Sequence, residues 1–246
     1  MKATKKDESL DFTGPLRQVI FMVSVLILTG MGGYIIFPQL APVFLANLYL
    51  NGLIFVVFLF GVVACFWQVA QLMSSISWLK RVAKNETDVA YSRTPGLLAS
   101  LVAVLNAGGY KMKVTSASAR TILDSIATRM DESRDITRYV INLLIFLGLL
   151  GTFYGLAITI PGVVDTIRAL NPKEGESGVE VFAKLMDGLE SQLAGMGTAF
   201  SSSLLGLAGS LVVGLLELFA GHGQNRFYRQ IEEWLSSVTK FSFAGN

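Results

Sequence analysis

Residues 142–160 read NLLIFLGLLGTFYGLAITI. The stretch carries no charge and is long enough to cross a bilayer, whose roughly 30 Å core takes about 20 apolar residues as helix. Its middle, Gly148-Leu149-Leu150-Gly151-Thr152, is small and polar. A plain lipid anchor has no use for two glycines and a hydroxyl at mid-depth. A helix that packs tightly on others, or that lines a polar path, does.

Three further stretches meet the same length and polarity test: about Val19–Phe37, Leu53–Ile76 and Leu193–Phe219, with Tyr139–Val164 enclosing the first. The composition agrees, since 52% of residues are hydrophobic, 15% are charged and the mean hydropathy is +0.54. The expected fold class is all-α: a polytopic membrane protein with four transmembrane helices and long cytoplasmic helical extensions. The charged N-terminus runs into a span-length apolar stretch without a small-residue cleavage site, as in a retained first helix.

Lys and Arg set the orientation. Residues 1–17 hold Lys2, Lys5, Lys6 and Arg17, and the connection from Pro38 to Gly52 holds no charge. Residues 80–138 hold Lys80, Arg81, Lys84, Arg93, Lys111, Lys113, Arg120, Arg129, Arg134 and Arg138. Residues 165–190 reverse the balance, with Asp165, Glu174, Glu176, Glu180, Asp187 and Glu190 against Arg168, Lys173 and Lys184. Both termini and the middle segment are therefore expected in the cytoplasm. The expected organisation is a cytoplasmic N-terminus (1–18), a transmembrane hairpin (19–79), a cytoplasmic helical segment (80–138), a last pair of spans (139–222) with an acidic external loop (165–190), and a cytoplasmic amphipathic tail (223–246).

Within the middle segment, Thr94-Pro95-Gly96 breaks the chain before an apolar helix that ends at Gly108-Gly109. From Thr115, Ile122, Ile126, Met130 and Ile136 recur at near-helical spacing. This predicts one helix from about Ser116 to Ile160, roughly 65 Å long, stopping at Pro161-Gly162. Val179, Phe182, Leu185, Met186 and Leu189 predict a separate amphipathic helix on the outer surface. Phe227, Ile231, Trp234, Leu235 and Val238 predict another in the tail.

The fourth span is dense in small residues. Gly195, Ala199, Ser202, Gly206 and Gly209 recur three and four apart, as Gly148, Gly151 and Gly155 do on the third. Such rows let backbones approach closely in lipid. Thr152, Thr159, Thr198, Ser201 and Ser202 have two readings. Their hydroxyls bond back to their own helix carbonyls, or they face an ion path or a partner helix. Glu217 is the one acid within a span and sits near its cytoplasmic end. It either serves the ion path or snorkels to the interface. Gln68, Gln71 and Asn142 read as interface or helix-contact groups. Arg129, Asp131 and Arg134 read as a solvated helix face.

Several functions have no support. One cysteine, Cys65, and one histidine, His222, give no disulfide framework and no metal cluster. A net charge of +2 gives no reason to expect nucleic acid. No phosphate loop, serine elbow or zinc motif occurs, so no enzyme and no cofactor is expected.

LGLLGTFYGL at 147–156 and GMGTAFSSSLLGLAGSLVVG at 195–214, on the last two spans after a long cytoplasmic helix, resemble the MotA/TolQ/ExbB proton-channel family. The resemblance covers about Asp131–Leu218. It implies a homopentamer in the bacterial inner membrane around a dimer of a partner with one transmembrane helix, whose aspartate picks up and releases H⁺ or Na⁺. By motif match, Thr152 and Thr198 would line the inner face of the pentamer. The function so implied is an ion-channel subunit of a motor that turns ion-motive force into mechanical work. The alternatives are a non-conducting membrane scaffold that organises partner helices or, within the motor class, a flagellar stator subunit.

Overall fold

The computed structural model describes residues 14–83, 95–108, 115–169 and 178–244, without the side chains of residues 40, 43, 46, 104–108, 169, 198 and 238–244. All regular structure among them is helical. The elements are α1 (Leu16–Ala46), α2 (Leu48–Ala83), a 3-10 turn (Gly96–Leu98), α3 (Ala99–Gly108), α4 (Ser116–Ala169) and α5 (Gly178–Ala244). Four helices, α1, α2, α4 and α5, are long and apolar enough to cross a membrane. By length and composition this is a multi-pass membrane protein.

The helices outrun the expected spans. The connection expected between Pro38 and Gly52 is helical on both sides of a single turn residue, Asn47. α1 passes through Pro38 and Pro42, each of which removes one backbone N–H without ending the helix. α4 likewise passes Pro161-Gly162, where the sequence predicted a stop, and ends at Ala169. Packing beyond the proline explains this. Gly162 lies against the Gln192 side chain and Gly188 against Thr166, whose hydroxyl also donates to the Gly162 carbonyl at 2.9 Å. These contacts outweigh the one hydrogen bond that Pro161 removes. The amphipathic stretch at 179–189 and the tail are not separate helices. Both belong to α5, a single helix of 67 residues and about 100 Å. Val238 lies outside the described side chains.

The chain divides into two compact units. The first combines 1–23, 64–136 and 216–246. Its core is built of large apolar side chains: Leu72, Ile76, Trp78 and Leu79 of α2, Leu97, Leu98 and Leu101, Ile122, Ile126 and Met130 of α4, and Phe227, Ile231, Trp234 and Leu235 of α5. The rows read from the sequence at 122–130 and 227–235 are thus the inner faces of α4 and α5. Phe21 stacks on Phe219 with centroids 5.4 Å apart, and the Arg17 guanidinium lies over the Phe21 ring.

The second unit combines 24–63 and 137–215. Here the large side chains point outward: Phe146, Phe153, Leu204 and Leu211 are each more than half exposed. Such a surface suits lipid or protein neighbours rather than water. Ile136, expected on the inner face of α4, is 55% exposed. The buried face at that level is carried by Thr137, Val140, Leu144 and Leu147 instead, one position out of step with the predicted row.

Candidate functional site

The two resemblance-bearing stretches meet along a seam between α4 and α5. Gly148 lies against Gly206 and Ser203, Gly151 against Ser202, and Gly155 against Ala199. Farther along, Thr159 lies against Gly195, Gly162 against Gln192, and Thr166 against Gly188. Each step of three or four residues up α4 is matched by a step of three or four residues back along α5. That is the signature of an antiparallel pair meeting on one face of each helix. From residue 148 to residue 166 the seam is about 27 Å long by helix rise, close to a bilayer core.

The contact is between backbones. A Cβ on Gly206 would fall 2.5 Å from the Leu144 carbonyl oxygen and 2.8 Å from Gly148 Cα. A Cβ on Gly148 would fall 3.1 Å from the Ser203 carbonyl oxygen and 3.3 Å from Gly206 Cα. On Gly155 it would run into the Ala199 Cβ. The seam is dictated by small residues because no side chain fits between the chains. Gly209 has more room, with Phe58 and Leu144 side chains at ordinary contact distance. Gly197 and Gly214 on α5 meet nothing, so they lie off the seam.

α2 completes this region. Leu50 reaches the Gly151 position, Phe58 the Gly209 position, and Gly61 packs on Val140 and Val213. Its numbering rises with that of α5 and against that of α4, so α2 runs parallel to α5. Asn51 is fully buried and accepts a 2.7 Å hydrogen bond from the Ser202 hydroxyl. Its amide nitrogen donates to the Phe44 carbonyl at 3.2 Å. Sequence reading missed Asn51. The one available signal was an amide at the mouth of the second apolar run.

The expected path residues separate into groups. Thr152 is half-buried and its hydroxyl donates to the Leu149 carbonyl at 2.6 Å. Thr159 is 8% exposed and donates to the Gly155 and Leu156 carbonyls at 3.0 and 3.1 Å. Both hydroxyls are therefore satisfied within α4. Ser202 is committed to Asn51, and Ser201 is 6% exposed. Thr198 lies on α5 beside the Gly155–Ala199 contact, about one turn from the level of Thr152. Its side chain is outside the described residues. Glu217 belongs to the other unit, where it is half-buried with its Oε2 shielded from solvent.

In that first unit the sequence understated the polar chemistry. Arg134, expected on a solvated face, has a side chain only 17% exposed. It donates to Gln224 Oε1 and Asn225 Oδ1, both at 2.6 Å, and to the Gly221 carbonyl at 3.1 Å. Arg129 donates to the Gly96 carbonyl at 3.0 Å, tying the 3-10 turn to α4. Gln68 is a helix-contact group, as expected, whereas Asn142 is exposed. Among the described residues no group of His, Cys, Asp and Glu could hold a metal ion.

The site is thus a close-packed antiparallel helix pair with hydroxyls along it and no carboxylate. α4 has no charged residue between Arg138 and Asp165, and α5 has none between Glu190 and Glu217. Between those charged residues neither helix has a carboxylate that could hold a proton. Compared with known proteins, the chain matches no family model, no curated protein and no solved structure.

Proposed function

We propose that this protein is the multi-span subunit of an ion-driven motor in a bacterial inner membrane. It would form a homopentamer around a dimer of a single-span partner and couple the movement of H⁺ or Na⁺ to mechanical work. The observation that carries this reading is the seam: LGLLGTFYGL and GMGTAFSSSLLGLAGS lie face to face in register, hydroxyl-bearing and free of acids. A wall of that kind needs a titrating group from another chain, and an aspartate on a partner helix meets the need. One charge crossing 100 mV supplies about 2.3 kcal/mol, so each large mechanical step would draw on several ions. Thr152 and Thr198 are the proposed path residues, and the distribution of Lys and Arg supports cytoplasmic termini.

One observation favours a second reading, a non-conducting scaffold that organises partner helices. Thr152 and Thr159 already donate to their own helix, which is what packing alone requires. The variant Thr152→Val with Thr198→Val separates the two. The motor reading expects assembly to survive and ion-driven flux in proteoliposomes containing the partner to vanish. Full flux in the double variant would remove both threonines from the path. A chain that assembles with its partners but never conducts would be a scaffold.

A further inference from the structure

The polar groups of the first unit form a closed ring across three helices. Arg134 Nε on α4 donates to Gln224 Oε1 on α5 at 2.6 Å. Gln224 Nε2 donates to Gln68 Oε1 on α2 at 3.2 Å. Gln68 Nε2 returns to α4, donating to the Ser133 carbonyl at 2.9 Å. Gln68 is 5% exposed and Gln224 is 3% exposed, so water does not compete for these bonds. The ring has one sense. Its head is a guanidinium, which only donates, and its end is a carbonyl, which only accepts. Each glutamine must therefore present its oxygen toward the arginine and its nitrogen away from it. A flipped amide would set oxygen against oxygen or N–H against N–H. The charge at the head strengthens the first link and polarises those that follow.

Placement adds to the case. Arg134 also holds the Gly221 carbonyl and Asn225 Oδ1, so it grips α5 over more than one turn. Gly223, next to Gln224, lies against Leu72 of α2, with the Leu72 Cδ2 3.3 Å from where a Cβ would stand. A glycine there lets α5 come close enough to α2 for the two amides to meet. The hydrophobic cluster holds the helices together by shape and non-directional attraction. The directed ring adds bonds between fixed points on each helix.

We propose that Arg134, Gln224, Gln68 and Ser133 form a clasp that locks α2, α4 and α5 in one axial register. Building on the ion-driven reading above, the clasp makes these three helices carry load as one body. The test is amide hydrogen exchange on the full chain in lipid nanodiscs, followed over 64–76 and 216–231. Gln68→Met and Gln224→Met keep volume and remove the amides. Each is expected to speed exchange in both segments roughly tenfold, the worth of about one net interhelical hydrogen bond. The double variant is expected to add little, since a ring opens once.

Gln224→Glu is the sharper probe, because it is isosteric. It keeps an acceptor for Arg134 and loses the donor to Gln68. Exchange should therefore rise in 64–76 as in the Met variants, and rise less in 216–231 than in Gln224→Met, because the bond to Arg134 remains. A purely packing role predicts no change in either. Unchanged exchange in the single variants, or fully multiplicative effects in the double, overturns the clasp. Ion flux measured on the unmutated chain with its partner is a separate arm. Its absence would sink the motor reading and leave the clasp standing.

Discussion

The same two helices, α4 and α5, pack by opposite rules in the two units. In the first unit they meet through Ile122, Ile126, Met130, Phe227, Ile231 and Trp234. In the second they meet through Gly148, Gly151, Gly155, Ala199, Ser202 and Gly206. Where the alternative to burial is water, large apolar side chains inside are worth about 1.5–3 kcal/mol each. Where the alternative is lipid, that gain is gone, and close backbone approach with dispersion and hydrogen bonding replaces it. Many large residues of the second unit, Phe146, Phe153, Leu204 and Leu211 among them, face out, while Ile54, Val140, Leu144 and Val213 stay inside. Each of the two helices thus carries two packing codes, large side chains in the first unit and small ones in the second.

That contrast gives a series of tests. The largest effect is expected from Ile126→Ala, because Ile126 is fully buried in the first unit. Its cost is about 3 kcal/mol, read as lost protection of 116–136 in hydrogen exchange, with the seam unaffected. Next comes Gly206→Ala. One methyl there meets the Leu144 carbonyl and Gly148 Cα, which are backbone and cannot turn aside. We expect a loss of about 2 kcal/mol in steric-trap unfolding from bilayers. Gly214→Ala, with open space around it, should be neutral or slightly stabilising through helix propensity. Equal effects at positions 206 and 214 would mean that the seam is not close-packed.

The smallest effect is electrostatic and confined to the first unit. Burial, and then the nearby carboxylates Glu232 and Asp124, hold the Tyr228 phenol above its ordinary value of 10.0. A raised folded-state value stabilises the fold fully below the unfolded value, and that contribution is lost as pH rises through the folded one. Stability should therefore start to fall near pH 10 and continue falling above it. Tyr228→Phe should remove that part of the alkaline loss. An identical alkaline limb in the variant would assign it elsewhere.

How much of this was legible in the sequence varies by residue. The glycine rows at 148–155 and 195–209 and the apolar rows at 122–130 and 227–235 were legible, because periodicity reports directly on which face is covered. The ends of α1 and α4 were not. Pro38, Pro42 and Pro161 are local stop signals, and the contacts that override Pro161, made by Gln192 and Gly188, lie on another helix. Arg134 was misread for the same reason. A charge among Asp131, Glu132 and Asp135 looks solvated until the glutamines 66 residues before it and 90 residues after it are placed beside it. Of the path residues, the row was legible but the direction of each hydroxyl was not. Thr152 and Thr159 turned back on α4, and Ser202 turned to Asn51.

The most direct measurement is a cryo-EM map of the complex purified from its native membrane. The account predicts Gly206 against Gly148 and Gly155 against Ala199 within every subunit. It also predicts five subunits in a ring around two single helices, with residues 152 and 198 on the inner wall. A map in which α4 and α5 stand apart at these glycines, or in which residues 152 and 198 face lipid, would contradict it.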